Sequence, residues 1–174
     1  MFKKKTKHES KSTLLITNPK QKNNKIDYKE IYRHIRTNIE YSTVGQNIKT
    51  INITSAVPTE SKSTTALNLS MIYATKYPKI LLIDADLRKP VQHKYLNISN
   101  SAGLTNALID YGKTKQINQS CFQKIKDSSF VSDLTVLTSG VKVPNPSELL
   151  SNPVFEDFIK KLKESYDFII IDCP

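Results

Sequence analysis

Three short stretches of this chain carry residue types that handle phosphate and a divalent metal. The first is "AVPTESKSTT", residues 56–65, set between an alternating run, "IKTINITS", and a helical run, "ALNLSMIYAT". A strand, a tight loop, then a lysine followed by hydroxyl residues at a helix start is a phosphate-binding layout. Backbone N–H groups curl around the anion, the helix N-terminus attracts it, and the lysine reaches in. On that layout Thr59, Glu60, Ser61, Lys62, Ser63 and Thr64 cradle the nucleotide. Lys62 meets the β- and γ-phosphates, Ser63 offers its hydroxyl to Mg2+, and Thr64 donates to a phosphate. By itself the match is weak: Ser61 precedes the lysine where the usual pattern has glycine, and a lysine before hydroxyls at a helix start is common.

The second stretch is "LLIDADLRKP", residues 81–90. Asp84 and Asp86 emerge from the C-terminal end of an apolar run, which is where open α/β sheets bind ligands. Spaced two apart in an extended segment, both carboxylates point the same way. One can hold metal while the other accepts a proton. The third stretch is "FIIIDCP", where Asp172 ends another apolar run. That is the form of an acid that orders Mg2+ directly or through water. Each stretch alone is also explained by a strand ending in a polar turn. Their order, with Asp84 22 residues after Lys62 and a third acid at 172, is much harder to obtain by chance.

The elements that must position these residues follow from periodicity. Residues 27–43 read as a helix with Ile31, Ile35 and Ile39 on one stripe and Tyr32 beside them; Glu30, Arg33 and Arg36 fall on the opposite side. Residues 48–55 alternate as a strand, and 62–76 form a helix closed by Pro78. The run at 79–86 begins as a strand buried on both faces of a parallel sheet. A short helix is expected at 103–111 and a strand at 133–138. A turn then leads into a short helix, with Ser147 as its cap. An amphipathic helix at 153–165 starts on Pro153, and the buried strand at 166–174 follows it. The alternation predicts a doubly wound α/β fold with a mostly parallel sheet and flanking helices. Four strands in such a sheet leave an edge and a face uncovered. The domain is therefore expected to run over 26–174 and to be incomplete beyond the strand that ends in Asp172.

Composition bounds the setting. The chain of 174 residues has a net charge of +10, of which residues 1–25 supply +7 through eight lysines against Glu9. A basic, flexible tail at 1–25 is the expectation, suited to solvent or to an anionic surface. Nucleic acid is not the expected partner, because Phe2 is the tail's one aromatic residue for stacking on bases. Cys121 and Cys173 have neither metal spacing nor the pattern of a disulfide framework, which suits a reducing cytoplasm. No apolar run approaches the roughly 18 residues needed to span a bilayer.

Taken together, "EIYRHIRTNI", "TSAVPTESKSTTALNLS", "ILLIDADLRKP", "GLTNALID", "LTSGVKVPNPSELLSNPVF" and "YDFIIIDCP" resemble the bacterial tyrosine kinases of capsule and exopolysaccharide synthesis. These are P-loop ATPases related to partition and septum-site ATPases. The resemblance covers roughly residues 26–174. It implies a P-loop NTPase-like fold, ATP and Mg2+ as cofactors, and transfer of the γ-phosphoryl group to tyrosine, mainly on the kinase itself. Carried onto this chain, Lys62 stabilises transition-state charge, Asp84 activates the tyrosine hydroxyl, and Ser63, Asp86 and Asp172 form the metal site. Glu30, Arg33 and Arg36 match the family's Glu-x-x-Arg-x-x-Arg motif, which joins subunits in a ring. A separate transmembrane modulator of the polysaccharide co-polymerase type is implied as activating partner. That places the kinase in the cytoplasm, at the inner face of the membrane.

Two departures from the family pattern shape the expectation. Thr59 and Ser61 stand where the loop usually has glycine, whose freedom lets the backbone reach unusual φ/ψ close to the phosphates. A β-branched Thr59 is stiff, and positive φ there costs on the order of 1–3 kcal/mol. The chain also lacks the tyrosine-rich tail that serves the family as acceptor; its eight tyrosines are scattered from Tyr28 to Tyr166. Weakened ATP binding and loss of the usual autophosphorylation are expected. The alternatives are an inactive pseudokinase serving as an interaction module and a partition-type ATPase.

Overall fold

A computed structural model describes residues 27–57 and 60–174 of the chain. The basic stretch at 1–25 and Thr59 lie outside the described residues. Helix α1 spans Tyr28–Ser42, β1 Thr50–Ile53, α2 Lys62–Ala74, β2 Ile80–Asp84, α3 Gln92–Leu96 and α4 Leu104–Thr114. Then come β3 at Gln123–Ile125, β4 at Leu134–Leu137, α5 at Pro146–Ser151, α6 at Pro153–Lys163 and β5 at Phe168–Asp172. The strands form one sheet in the order β1-β5-β2-β4-β3. The first four of these are mutually parallel, and β3 pairs antiparallel with β4.

The doubly wound, mostly parallel sheet is as expected. The strand count is not: five are present among the described residues rather than four. The fifth, β3, has three half-buried or exposed residues, Gln123 to Ile125, too few to show a period of two. Helix α3 escaped notice for the same reason, having only five residues.

Successive strand residues feed opposite faces, so each apolar strand serves two cores. On one face Ile80, Leu82, Leu134, Val136 and Ile170 pack against α2, with Tyr32, Ile35 and Ile39 of α1 beside them. On the other, Leu81, Ile83, Leu137, Ile169 and Ile171 pack against α4 and α6 through Leu104, Leu108, Tyr111, Phe158 and Leu162. Every residue of β2 is buried, which is why its sequence is continuously apolar. Each of these large side chains contributes about 1.5–3 kcal/mol by leaving water.

Local chemistry sets the helix ends. Asp27 caps α1, its carboxylate accepting from the N–H groups of Lys29 and Glu30. The buried stripe of α1 runs through Tyr32, Ile35 and Ile39, whereas Ile31 is 44% exposed. Arg36 also departs from expectation. It does not share the solvated face of Glu30 and Arg33; its guanidinium donates to the Ile72 carbonyl at 3.0 Å and sits 3.6 Å from Glu40. A long cationic side chain beside the last carbonyls of α2, which lack intrahelical partners, is well placed to satisfy one of them. Ser147 is not the cap of α5: Asn145 holds that position, and the Ser147 hydroxyl accepts from Arg88 at 2.8 Å. Asn152 caps α6, accepting from the Val154 N–H, with Pro153 in the first helical position.

The start of α4 docks against the end of β4. Leu104 N–H donates to the Thr138 carbonyl and Thr105 N–H to that of Ser139. This close approach demands glycine at 103, where a Cβ would fall 2.2 Å from the Thr138 carbonyl oxygen and 2.5 Å from Gly140 N. Gly112, inside α4, has room: the nearest atom to an added Cβ is 3.8 Å away. Gly103→Ala is therefore expected to lower stability by at least about 2 kcal/mol in denaturant unfolding. Gly112→Ala should raise it by about 0.5–1 kcal/mol, because glycine inside a helix is entropically unfavourable.

Candidate nucleotide and phosphoryl-transfer site

The parallel register brings the three acids together. Asp84 and Asp172 are paired residues at the C-terminal ends of the neighbouring strands β2 and β5. Both are fully buried, and Asp86, just past β2, is 8% exposed. Lys62, the first residue of α2, reaches across the sheet end. Its Nζ donates to Asp86 Oδ2 at 2.6 Å and lies 3.6 Å from Asp172 Oδ1. Backbone N–H groups complete the arrangement. That of Lys89 donates to Asp86 Oδ1 at 2.9 Å, and those of Val91 and Gln92 donate to Asp84 Oδ2 at 3.2 and 3.1 Å. The lysine and all three acids identified in the sequence thus converge.

No side chain caps the start of α2, so its first-turn N–H groups are available to an anion. Beside them opens a cavity of about 390 Å³ lined by Ser61, Lys62, Ser63, Thr64, Asp86, Lys89, Val91 and Tyr95. Its size suits a small polar ligand. Glu60 is exposed on the loop before it. Ser61 has φ 62° and ψ 21°, the left-handed conformation that glycine adopts freely and that costs other residues roughly 1–2 kcal/mol. The sequence expectation that position 61 requires a glycine-like backbone therefore agrees with the fold. Ser61 adopts that backbone as part of the fold, so its strain weighs on folding, while its side chain narrows the cavity.

Charge is unevenly shared. Burial opposes the charged form of Lys62, but its bond to Asp86 and the fields of Asp172, Asp86 and Asp84 outweigh it and raise its pKa. Burial likewise pushes against ionised Asp86, yet the bonds from Lys62 and from the Lys89 N–H bring its pKa below the ordinary value. Asp84 has no cation in contact. Desolvation, aided by the negative charge of Asp172 and Asp86 and resisted by the Gln92 and Val91 N–H groups, moves its pKa up to about 7.

The donor chemistry fits Mg2+ in its usual protein setting. Among the described residues no three His, Cys, Asp or Glu side chains converge into a metal-holding group. Mg2+ commonly takes only one or two carboxylates and completes its shell with phosphates and water. Both oxygens of Asp86 are engaged, whereas Asp84 Oδ1 and Asp172 Oδ1 are buried without a hydrogen-bond donor. Unpartnered buried oxygens of this kind are costly unless a cation or proton completes them.

Sequence reasoning missed Gln92 and Tyr95. Gln92 is fully buried, and its amide touches both the Ser63 carbonyl and Asp172. Tyr95, 43% exposed, forms part of the cavity wall. Neither lies in a segment with periodicity, and a lone polar residue after "RKP" gives no signal of burial. Glu30 and Arg33 lie apart from this cluster on exposed α1, where they pair with each other at 3.3 Å.

The Asp84 environment has a consequence for stability. A carboxyl whose folded pKa is raised binds its proton more tightly in the folded state. Stability is therefore highest below the unfolded value near 3.8 and falls as pH rises toward 7. Asp84→Asn keeps an oxygen to accept the Val91 and Gln92 N–H groups and removes the charge. It should stabilise the fold at pH 8 by as much as about 4 kcal/mol. The pH-dependence of denaturant unfolding between about 4 and 7 should flatten in the same variant.

Comparison with known proteins agrees with this geometry. A family model described as an AAA domain matches residues 48–174. The tyrosine-protein kinase YwqD of Bacillus subtilis is 41% identical over 164 residues, covering 94% of this chain and 64% of the kinase. The crystal structure of the chimerical protein CapA2B2 superposes with a TM-score of 0.74 at 38% identity, covering 86% of this chain and 62% of that one. The septum site-determining protein MinD of Pyrococcus horikoshii, solved with Mg-ADP, superposes with a TM-score of 0.54 at 25% identity over 72% of this chain and 49% of that one. The chain thus spans somewhat less than two thirds of the kinase relatives it matches. With its lysine-bearing loop and acidic strand ends on a P-loop ATPase sheet, this chain belongs to the family of bacterial tyrosine-protein kinases.

Proposed function

We propose that the chain is an ATP-dependent protein-tyrosine kinase of capsular or exopolysaccharide synthesis whose nucleotide site is weakened by its loop. The observation that carries this reading is the approach of Lys62 to Asp86 and Asp172 at an uncapped helix start. Phosphoryl transfer depends chiefly on positioning and on neutralising charge, and this cluster supplies both.

In the proposed mechanism the loop through Thr64 and the first turn of α2 bind the phosphates. Lys62 leaves Asp86 for the β- and γ-phosphates, which frees Asp86 for the metal shell. Ser63 and Asp172 complete the protein's share of that shell. Mg2+ held there would supply charge neutralisation for the transferring phosphoryl group. Asp84 takes the tyrosine proton, directly or through one water, and its pKa near 7 suits that task. Because Asp84 is fully buried and does not line the cavity, the water-relayed route fits the geometry better.

The proposed setting is the cytoplasm, at the inner membrane face, with a transmembrane modulator as partner and no role for nucleic acid. Two observations support it: no described helix is long and apolar enough to cross a membrane, and a structural relative is the CapA2B2 chimera. Subunits of the proposed ring would meet through Glu30 and Arg33 on exposed α1. Arg36 would contribute by holding α1 against α2. A second reading, an inactive interaction module, is favoured by Ser61 alone, since its side chain occupies cavity wall where the family loop has none. The partition-type ATPase remains the third reading on the MinD likeness.

Replacing Thr59 and Ser61 with glycine tests the loop. Ser61→Gly alone should stabilise the fold by about 1 kcal/mol. The double replacement should tighten Mg·ATP binding at least tenfold by calorimetry, equivalent to about 1.4 kcal/mol. Phosphate release and phosphotyrosine measured in one assay then separate the readings. Tyrosine phosphorylation lost on Lys62→Met supports the kinase. Phosphate release without phosphotyrosine supports the ATPase, and absence of both supports the interaction module.

A further inference from the structure

Gln92 belongs to none of the sequence motifs, yet it contacts Ser63 of the loop, Asp84 at the end of β2 and Asp172 at the end of β5. It opens α3 at a position with no exposure to solvent. Its side-chain Nε2 donates to the Ser63 carbonyl at 2.9 Å and to Asp172 Oδ2 at 2.9 Å. Its backbone N–H donates to Asp84 Oδ2 at 3.1 Å. The remaining amide oxygen, Oε1, is buried without a donor.

An amide nitrogen has two protons, and here both have acceptors. The orientation is chemically determined, because the flipped amide would set its oxygen against a carbonyl and a carboxylate. Both acceptors belong to residues of the proposed metal site: the one that offers its hydroxyl and the one that ends β5. They come from elements 109 residues apart in the chain, between Ser63 and Asp172. Among the described residues no backbone hydrogen bond joins the first turn of α2 to the end of β5, so the Gln92 amide and the 3.6 Å approach of Lys62 to Asp172 supply that link. Asp172 Oδ2 is occupied by this bond, and Oδ1 is left facing Lys62.

A neutral residue is also what the place requires. Glutamate would add a fourth carboxylate to Asp84, Asp86 and Asp172. Lysine would compete with Lys62 for them. An apolar side chain would leave one Asp172 oxygen buried without a donor, a costly loss, and would strip the Ser63 carbonyl of the donor it has beyond its own helix.

We propose that Gln92 is a positioning residue for the Mg2+ site, holding Ser63 and Asp172 at a fixed separation through the two protons of its side-chain amide. The proposal rests on the nucleotide-binding reading above. Groups that orient metal ligands typically affect metal affinity by 10–100-fold when removed. A packing residue would instead affect binding with and without metal alike.

The test uses the full chain carrying Thr59→Gly and Ser61→Gly as parent, with and without Gln92→Met, which preserves shape and removes the amide. ADP affinity is measured calorimetrically with excess Mg2+ and again with chelator, and thermal midpoints are recorded. The expected result is that Gln92→Met loses the Mg2+-dependent gain in affinity by about tenfold or more. Chelator-condition affinity should stay within about twofold, while the midpoint falls by several degrees because buried Asp172 loses a donor. An unchanged Mg2+-dependent gain overturns the proposal. So does an equal fall in chelator-condition affinity, which would make Gln92 a packing residue. A parent that binds no ADP in either condition overturns the nucleotide-binding reading, and this proposal with it.

Discussion

Three buried carboxylates gathered around one lysine are the constraint on which the rest of this structure depends. Asp84, Asp86 and Asp172 are at most 8% exposed. Their mutual repulsion and desolvation oppose folding, and only Asp86 and Asp172 have Lys62 within ion-pair distance. Removing water from such charges is unfavourable unless geometry and hydrogen bonding compensate. Here the compensation comes from the N–H groups of Lys89, Val91 and Gln92, and from the Gln92 amide. The segment after β2 turns back over the sheet end and supplies these donors. The two apolar cores must then hold the sheet against the charge they bring together.

That balance also explains the asymmetry within the acidic pair. Asp86 has a lysine and a backbone donor, and it lines the cavity. Asp84 has backbone donors on one oxygen and none on the other. The same chemical group is held ionised in one place and driven toward neutrality in the other. Separating two neighbouring carboxyls in this way is how a site acquires both a charge-bearing acid and a proton acceptor. Ser61 adds a second tension. The helix start needs a left-handed residue, and a side chain there both strains the loop and faces the cavity.

Much of the fold was legible because its signals are periodic. The continuous apolar runs at β2 and β5 reflect burial on both faces, and the amphipathic α1 and α6 reflect burial on one. Elements with three to five residues, β3 and α3, left no period to read. Ile31 and Arg36 were misjudged because spacing alone gives a stripe's angle and not its edges. Rotating the stripe slightly puts Tyr32 inside and Ile31 out, and carries Arg36 round to the α2 carbonyls. Ser147 looked like a cap from its position before Glu148, but Asn145 lies closer to the true start of α5, set by Pro146.

The sequence by itself determined the chemistry: a lysine and two hydroxyls at a helix start, acids ending apolar strands, and a residue at position 61 unsuited to the backbone required there. Those follow from residue type, local spacing and φ/ψ sterics, which need no neighbour to act. Only the tertiary structure decided which oxygen each charge touches, that Asp84 is driven toward neutrality while Asp86 is not, and that Gln92 joins Ser63 to Asp172. These depend on burial and on hydrogen bonds between segments as much as 80 residues apart. Such distances are set by parallel strand register and by packing, and a linear pattern carries no record of either.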